Sequence, residues 1–397
     1  MALSEKKSIQ WWIVFGFISN FIILSAYYVT LPLEGVSSIA GFVVITGIAG
    51  GISLLLGLLY YPVGYFLWKL GNSTWKRFFV FISMFTLAEI ARPYVFTIIT
   101  WGGGSTFGAH GSSWALGSIL AVTPFLSFTQ YGGVFALGVV LAYIGGSLAF
   151  PFSIRTKVLL LSFLIACTVF LRLVPQSYEN PAISFAVIQT SFPHVAQGED
   201  IDEVYAKRAN ETVHPLVMSV ADTHPDIIIL PEDLRYIDLL SSSHKKELVS
   251  TFPNTLIADG ATRFISGKRK NVSILYDTKD GSEQTRAKGF MFPFGEYVPY
   301  ILQPFISLII GPEKLASYQA LREYSSGEEP YSFTTRIGRV GVLICSELTS
   351  GSAIASLKSS RPDIVIVQAS LTWTHNSPYY MMNHILSLKM LDRKSVV

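Results

Sequence analysis

The sequence has little charge and almost no cysteine. Charged residues make up 14% of its 397 residues, hydrophobic residues make up 50%, and mean hydropathy is +0.43. Soluble domains carry about 25% charged residues, so this composition is typical of a membrane protein. The net charge of +3 and the lack of basic tracts with interspersed aromatic residues argue against a nucleic-acid binder.

The two cysteines are Cys167, inside one apolar run, and Cys345, at the end of another. They do not make a disulfide framework and match no metal-ligand spacing. The glycine-rich stretch WGGGSTFG at 101–108 lacks the lysine and Ser/Thr spacing of a phosphate loop, so we predict a flexible connection there. The sequence thus predicts neither a metal nor a cofactor, and it leaves Cys345 as a free thiol to be explained.

Long apolar runs fill the first 175 residues. About 20 apolar residues are needed to span a bilayer, and five runs qualify: 11–30, 36–70, 78–100, 132–150 and 158–174. The first is predicted to be an uncleaved anchor, and the second is one tilted span or two short ones, with Pro62 as the break. Residues 115–128 are predicted to add a buried or re-entrant helix. We therefore assign residues 1–175 to a transmembrane helical domain.

Basic residues in the connecting loops predict the orientation. If each of the five runs crosses the membrane once, the basic residues of these loops all lie on one side of it. They are Lys6, Lys7, Lys69, Lys76, Arg77, Arg155 and Lys157. The positive-inside rule makes that side cytoplasmic. An odd number of crossings then delivers everything after Pro175 to the outer face. A double crossing by residues 36–70 would require one further crossing to keep that parity.

Two opposite charges interrupt the third apolar run. Glu89 and Arg92 lie three residues apart, so they share one helix face and partly neutralise each other. Intramembrane charges are rare and often functional. An ion pair that locks helices together explains them equally well, and the sequence leaves both interpretations open.

After residue 180 the pattern changes to short apolar strands alternating with helices. Runs of four to six apolar residues are typical of strands covered on both faces, which indicates a layered α/β domain over residues 180–397. The predicted strands are 183–190, 226–230, 255–259, 272–276, 340–344 and 363–369. The predicted helices are 201–221, 245–251 and 352–358, and residues 300–330 form a mixed apolar and polar insertion.

Three residues suited to acyl transfer stand at the borders of apolar segments. Glu232 ends PDIIILPE, Lys288 opens KGFMFPFGEYVP, and Cys345 ends RVGVLIC. A thiolate is a nucleophile, a carboxylate in apolar surroundings suits proton transfer, and an ammonium stabilises an oxyanion. Each residue alone is more simply explained as a loop carboxylate, a solvated lysine or an inert buried thiol. The site prediction therefore depends on the three meeting in space.

Residues from about 183 to 393 resemble the carbon-nitrogen hydrolase (nitrilase) family through three motifs in order: LPEDL, KGFMFPFGEYVP and LICSE. The form KxxxxPFGEYVP after a membrane domain resembles one branch, the apolipoprotein N-acyltransferases, as do FTLAEIAR at 85–92 and QYGGVFAL at 130–137. The resemblance implies a multi-span α-helical membrane domain plus an α/β nitrilase-like αββα sandwich. It also implies a catalytic triad of Glu232, Lys288 and Cys345, supported by Glu296 and Glu347.

The resemblance further implies the reaction and its setting. Cys345 would take a fatty acyl chain from a phospholipid as a thioester and pass it to the N-terminal amine of a diacylglyceryl-cysteine lipoprotein. The implied partners are this phospholipid, the diacylated lipoprotein and the lipid bilayer. The implied location is the bacterial inner membrane, with the catalytic domain on the periplasmic face. Phe292, Tyr297 and Trp373 are predicted to bind substrate, although an aromatic stripe is more often packing.

The chain departs from that branch in places. Ser346 follows Cys345 where the branch usually has an aromatic residue. Ser370-Leu371-Thr372-Trp373 occupies the place of the family's Asn-Asp-x-Trp segment. Asn383 replaces a glutamine before His384, and Lys389 stands near the family's arginine. The chain stops at LDRKSVV, where the family continues with further strands and a returning membrane helix, so we expect a truncated C-terminus.

Other functions fit parts of the pattern. A membrane-anchored amidase or nitrilase would use the same triad on a small amide, and a requirement for lipid distinguishes the two. A transporter would need polar groups along the membrane half, where Glu89 and Arg92 alone qualify. A non-catalytic scaffold would be excluded if Cys345→Ala abolishes activity.

Overall fold

The structure, a computed structural model, describes residues 5–25, 28, 38–71, 73–173, 183–190, 192, 200–293, 295–370, 382 and 385–388. Within these ranges a helical N-terminal half is followed by an α/β domain, which confirms the predicted fold class. Trp373, Asn383, His384 and Lys389 lie outside the described residues.

Five helical segments in these ranges are long and apolar enough to cross a membrane, as the sequence predicts. The helices are α1 (Glu5–Leu24), α2 (Ser38–Gly57), α3 (Tyr61–Lys69), α4 (Thr74–Ile99), α5 (Thr129–Ala149) and α6 (Ile154–Leu173), with α2 and α3 forming one segment. Many large apolar side chains on them face outward: Leu159 is 70% exposed and Phe163 is 65% exposed. An apolar surface of this kind is unfavourable in water and suited to lipid.

The long second segment bends at the predicted place. A 3₁₀ turn, Leu58–Tyr60, joins α2 to α3, and Pro62 lies in the first turn of α3. Proline is tolerated there because the first N–H groups of a helix have no intrahelical partner. The predicted extra helix at 115–128 is instead a series of 3₁₀ turns, Leu116–Val122 and Pro124–Phe128, leading into α5.

The carboxylate of Glu89 joins three segments of the membrane half. Its Oε2 accepts the Leu116 N–H at 2.8 Å, its Oε1 accepts the Tyr60 hydroxyl, and Arg92 Nε lies 4.0 Å from Oε1. Glu89 and Arg92 are both buried. Of the two interpretations of this pair, the structure therefore favours the one in which it locks helices together.

In the part of the chain that the structure describes, the α/β domain contains two sheets. A five-stranded sheet has the order β1-β2-β3-β4-β5, and a three-stranded sheet has the order β6-β7-β8. The strands are β1 (Phe185–Val187), β2 (Ile227–Ile229), β3 (Leu256–Ile265), β4 (Lys268–Asp277), β5 (Glu283–Ala287), β6 (Ser332–Thr335), β7 (Gly338–Ile344) and β8 (Ile364–Gln368). Strands β1, β2 and β3 are parallel, as are β7 and β8, and the other pairs are antiparallel.

The described helices of this domain are α7 (Ile201–Lys207), α8 (His214–Met218), α9 (Tyr236–Leu239), α10 (Ser242–Thr251), α11 (Gln303–Ile310), α12 (Pro312–Arg322) and α13 (Gly351–Ser359). A π-helical turn, Arg208–Val213, makes α7 and α8 continuous, which matches the predicted helix 201–221. The predicted insertion at 300–330 contains α11 and α12. Strands β5 and β6 were not predicted.

The two sheets pack face to face. Ile227, Leu256 and Leu275 of the larger sheet contact a core that also holds Val340 and Val342 of the smaller one. A second core lies between the outer face of the larger sheet and the helical segments around α8 and α10, and a third between the smaller sheet and α13. Helices therefore cover both outer faces, which is the helix-sheet-sheet-helix layering that the family resemblance implies.

The prediction of a flexible glycine-rich connection at 101–108 is wrong, because this segment packs against the α/β domain. A Cβ on Gly102 would lie 2.6 Å from the Tyr297 ring, and one on Gly104 would lie 2.8 Å from the Tyr324 carbonyl oxygen. Contacts this short leave no room for a side chain. The glycines thus serve close approach between the two halves of the protein.

Candidate active site

The three predicted residues follow three different strands. Glu232 comes shortly after β2, Lys288 directly after β5, and Cys345 directly after β7. Strands β2 and β5 belong to one sheet and β7 to the other. The side chains converge where the ends of the two sheets meet, in the manner of α/β enzymes whose sites lie at strand termini.

Lys288 lies between two carboxylates. Its Nζ is 2.9 Å from Glu296 Oε1 and 3.4 Å from Glu232 Oε1, and its side chain is 1% exposed. Burial lowers the pKa of this ammonium, but the carboxylates of Glu296 and Glu232 raise it by a larger amount. The net pKa of Lys288 is therefore above its usual value. The lysine is therefore a fixed positive charge at every physiological pH.

Cys345 lies in a strained turn beside Glu232. Its backbone φ of +47° is in the left-handed region, which non-glycine residues rarely adopt and which clusters at functional sites. Burial and the carboxylate of Glu232, to which the thiol is hydrogen-bonded, both raise the pKa of the thiol, while Lys288 lowers it. The net pKa is well above the usual value. The sulfur is thus protonated at rest, with a carboxylate in place to accept the proton.

Glu232 is oriented by two groups that the sequence did not single out. Asn271 Nδ2 donates to its Oε1 at 2.8 Å, and the Ser370 N–H donates to its Oε2 at 2.9 Å. Asn271 lies on β4, just before the apolar residues by which that strand was predicted. A polar residue beside a buried run was the available signal. These bonds fix the direction of both carboxylate oxygens.

Glu347 holds the turn of Cys345 against the segment of Lys288. Its carboxylate accepts hydrogen bonds from both terminal nitrogens of Arg286, at 2.9 and 2.6 Å. It also accepts hydrogen bonds from the Gly289 N–H at 2.7 Å and the Ile344 N–H at 2.8 Å. Arg286 and Glu347 have side chains that are 0% exposed. Sequence reasoning missed Arg286, although its place two residues before Lys288 on a strand puts both on one face.

Glu296 restrains Lys288 and its own loop. Its Oε2 accepts the Phe292 N–H at 2.7 Å, while its Oε1 faces Lys288. Burial raises the pKa of Glu296, and Lys288 opposes that rise. Glu296 therefore depends on the lysine to remain ionised, and the lysine depends on it for a fixed position.

Two of the three aromatic residues predicted to bind substrate, Phe292 and Tyr297, are described, and both contact the membrane half. Tyr297 is 2% exposed, and its hydroxyl donates to the Thr100 carbonyl at 2.8 Å. The Phe292 ring meets Trp114 edge-on, with centroids 6.0 Å apart. Their substrate-binding role stays a prediction.

His110 connects the glycine-rich segment to the active-site loops. Its ring stacks on Phe290 with centroids 4.0 Å apart, its Nε2 donates to the Thr106 carbonyl at 2.9 Å, and its Nδ1 accepts the Ser350 hydroxyl at 2.7 Å. Ser350 caps α13, the helix that follows the Cys345 turn. The Ser346 hydroxyl, in that turn, donates a hydrogen bond to the Phe290 carbonyl. One imidazole therefore contacts both segments that flank the thiol.

Acid is expected to weaken this junction. Burial lowers the pKa of His110 from 6.5 to about 4. Above pH 6.5 the imidazole is neutral in both states; as the pH falls, the unfolded chain takes up the proton first, so stability drops until about pH 4. The difference between the His110 pKa values of the unfolded and folded protein corresponds to a loss of about 3 kcal/mol in the free energy of unfolding. Thermal unfolding in detergent at pH 7 and pH 4 should show it.

His110→Phe is the matched variant for this measurement, because it keeps the ring against Phe290 and removes the titrating group. The variant should be less stable at pH 7, where it lacks two hydrogen bonds, and should lose less stability on acidification than the unaltered protein. Equal losses in the two proteins would mean that other groups carry the acid sensitivity.

A buried carboxylate, ammonium and thiol meet at the strand ends of a helix-covered double sheet, which is the arrangement that the resemblance to the carbon-nitrogen hydrolase family implies. The domain that holds them follows a set of membrane-length helices. Among the described residues, one group places three potential metal ligands together, and it includes none of the residues of this site.

Comparison with known proteins adds a particular relative. The chain is similar to the apolipoprotein N-acyltransferase of Shewanella oneidensis, with 23% identity over 96% of this chain and 73% of that protein. This confirms the resemblance predicted from the motifs. No family model matches the chain.

Solved structures with lower sequence identity align with just under half of this chain. An amidase from Nesterenkonia sp. aligns with 48% of this chain and 66% of its own, at 10% identity and a TM-score of 0.30. The carbon-nitrogen hydrolase superfamily protein XC1258 from Xanthomonas campestris aligns with 47% of this chain and 64% of its own, at 15% identity and a TM-score of 0.31. This chain thus spans just under two thirds of each of these proteins.

Proposed function

We propose that this protein is a membrane acyltransferase that moves a fatty acyl chain from a phospholipid, through a thioester on Cys345, to the N-terminal amine of a diacylglyceryl-cysteine lipoprotein. The observation that carries the proposal is the contact of Cys345 with Glu232, next to Lys288, in a domain joined to membrane-length helices. The relative named apolipoprotein N-acyltransferase supports the choice of substrates.

In the first half of the reaction Glu232 takes the proton from Cys345. The thiolate attacks the carbonyl carbon of a phospholipid ester, and a C–S bond forms while the carbonyl oxygen becomes an oxyanion. The positive charge of Lys288 stabilises that oxyanion. The C–O bond then breaks, Glu232 returns the proton to the leaving alkoxide, and lysophospholipid departs.

In the second half the free amine of the lipoprotein attacks the thioester. Glu232 accepts a proton from the attacking nitrogen, the C–S bond breaks, and the sulfur leaves as a thiolate that is protonated again. A thioester reacts readily with amines, and the low exposure of the site keeps water away from it: Cys345 is 6% exposed and the Glu232 side chain 8%.

The proposed location is the bacterial inner membrane, with the α/β domain on the periplasmic face. The proposal rests on the five membrane-length helices, because an odd number of crossings separates the two ends, and on the basic residues near their cytoplasmic ends. Segments on both sides of the site, at Tyr297 and Ser350, contact the loop that follows α4. This contact would hold the thiol near the bilayer surface, where both lipid substrates reside.

Mass spectrometry of the purified protein after incubation with phospholipid in detergent tests the proposal. We expect the mass to rise by one acyl group, the modified peptide to contain Cys345, and hydroxylamine to remove the group. Cys167 in α6 is a built-in control that should stay unmodified. Hydrolysis of a small amide without any lipid-derived acyl-enzyme would instead assign the protein to the amidases.

A further inference from the structure

The hairpin that joins β3 to β4 extends past the catalytic ends of the strands. Glu232 lies against Gly260 of β3, since a Cβ on this glycine would come 2.9 Å from the Glu232 Cα. Strand β3 continues from there to Ile265, and at about 3.3 Å per residue this adds on the order of 17 Å. Beyond the ends of β2 and β5, β3 and β4 pair with each other as a two-stranded ribbon. We call its end, residues 264–270, the hairpin tip.

The hairpin tip, which reads FISGKRK, combines exposed apolar side chains with three basic ones. Phe264 is 76% exposed and Ile265 is 39% exposed. In the strand register Phe264 pairs with Arg269, and Ile265 pairs with Lys268, so each apolar residue has a basic residue beside it on the same face of the ribbon. Among the described residues, no carboxylate forms an ion pair with Lys268 or Lys270. Adjacent exposed apolar residues with basic neighbours indicate an interaction surface.

The ribbon has a fixed direction. Its turn consists of Ser266 and Gly267, whose φ values of +53° and +73° are those of the tight two-residue turn that matches the twist of paired strands. At its base, the Ser325 N–H donates to the Arg269 carbonyl at 2.9 Å, and the Arg269 guanidinium carbon lies 4.4 Å from the centre of the Tyr324 ring. These contacts attach the ribbon to the α/β domain, so the position of the hairpin tip follows from the fold.

The edge of the sheet from which the ribbon extends faces the membrane half. The segment that follows Lys288 contacts the residues directly after α4: the Tyr297 hydroxyl donates to the Thr100 carbonyl, and the Tyr300 N–H donates to the Trp101 carbonyl, both at 2.8 Å. The opposite edge of the same sheet carries the turn between β4 and β5. That turn reads DTKDGSE, with no apolar residue and three carboxylates against one ammonium. The two turns of one sheet thus differ in composition, and the apolar, basic one lies on the membrane side.

We propose that the hairpin tip inserts Phe264 and Ile265 into the surface of the bilayer that holds the membrane helices, and that Lys268 and Lys270 contact the phosphates of anionic phospholipids there. A two-stranded ribbon is marginally stable in water, and a lipid surface would cover its apolar side chains. Lysine stems lie along apolar surface while their ammonium groups reach the headgroups, and basic residues are attracted to anionic lipid. This charge complementarity favours a lipid surface over an apolar protein groove. The proposal is independent of the proposed acyl transfer.

Fluorescence of a single label on the full chain in lipid nanodiscs tests the proposal. Cys167→Ser and Cys345→Ala remove the native thiols, and Ser266→Cys places bimane, an environment-sensitive fluorophore, in the turn of the hairpin tip. We expect emission at shorter wavelength than in water and quenching by lipids that carry a nitroxide on the headgroup. Both effects should be stronger in equal parts of phosphatidylglycerol and phosphatidylcholine than in phosphatidylcholine alone. Ser282→Cys labels an exposed serine in the turn at the opposite edge of the sheet and should show neither effect.

Further variants of the chain labelled in the hairpin tip test each kind of contact. Lys268→Gln/Lys270→Gln should lower the ratio of lipid-bound to free tip on the order of tenfold, and Phe264→Ser should lower it by a similar factor. Both changes are read as lost quenching by nitroxide lipids. Lys279→Gln removes a lysine from the opposite turn and should leave the quenching unchanged.

Three outcomes would overturn the proposal. In the first, iodide in the water quenches the label at residue 266 as readily as the label at residue 282, and nitroxide lipids quench neither. In the second, the label at residue 266 is protected from iodide but is not quenched by lipid in nanodiscs that hold one chain each, which would place the hairpin tip against the chain itself. In the third, protection arises only in nanodiscs that hold two chains, which would place the tip against a second copy.

Discussion

Lys288→Met is expected to lower the rate of acyl-enzyme formation on the order of 10²- to 10³-fold, the usual effect of removing one charged or hydrogen-bonding group from an oxyanion site. Methionine has nearly the length of lysine and carries no charge, so packing around residue 288 changes little. The measurement is the rate at which phospholipid-derived mass appears on Cys345. Because Lys288 also lowers the pKa of that thiol, its loss should further reduce the fraction of thiolate.

The same substitution should destabilise the protein. It leaves Glu232 and Glu296 buried without the cation between them, and breaking a buried pair in this way costs about 3–5 kcal/mol. The double variant Lys288→Met/Glu296→Gln removes one charge of each sign. We expect it to regain most of the lost stability and to remain inactive.

That double variant separates the two roles of the lysine. Recovery of acylation together with stability would show that Lys288 serves only to neutralise the carboxylates. Lys288→Met that retains acylation within tenfold of the unaltered protein would also contradict its assignment to the oxyanion.

The parts of the fold that could be predicted from the sequence are those whose side chains are predominantly apolar on all sides. Strand β2 and residues 340–344 of β7 are continuous apolar runs, and the five membrane segments are longer runs of the same kind, so composition alone locates them. Glu232 and Cys345 could be selected because each ends such a run. The motif around Lys288 supplied the third residue, which no periodicity indicates.

The strands and site residues that the sequence did not predict are those whose structure or role is decided by a distant part of the chain, either a neighbouring strand or a contacting side chain. Strands β5 and β6 lie at sheet edges and read EQTRA and SFTT, with no apolar run to mark them. They form because a neighbouring strand supplies the hydrogen bonds. Asn271 and Arg286 were missed for a related reason: a polar residue on a strand shows its purpose only when the carboxylate that it contacts is known.

The glycine-rich segment shows the largest gap between sequence and structure. Glycine predicts flexibility when nothing packs against it, and close packing when something does. Here Tyr297 and Tyr324 of the α/β domain occupy the space that side chains would fill. The predicted linker is therefore an interface, and the geometry around Cys345 is set in part by residues more than 200 positions earlier in the chain.

Glu347→Gln should have the second large effect, chiefly on stability. The carboxylate accepts four hydrogen bonds, two at each oxygen, and an amide nitrogen in place of one oxygen would face two donors. Arg286 would also remain as a buried cation without its counter-charge, a defect that costs about 3–5 kcal/mol. Thermal unfolding should show a midpoint lower by about 10 °C.

Asp363→Asn is the matched control, because it makes the same chemical change at an exposed arginine pair. Asp363 and Arg339 have side chains that are 42% and 44% exposed, and such pairs contribute about 1 kcal/mol or less. Below its unfolding temperature, Glu347→Gln should also acylate Cys345 more slowly, since the Ile344 and Gly289 N–H groups that position the thiol and Lys288 lose their acceptor. If both variants shift the midpoint equally, burial of the Arg286–Glu347 pair has no special role in holding the site together.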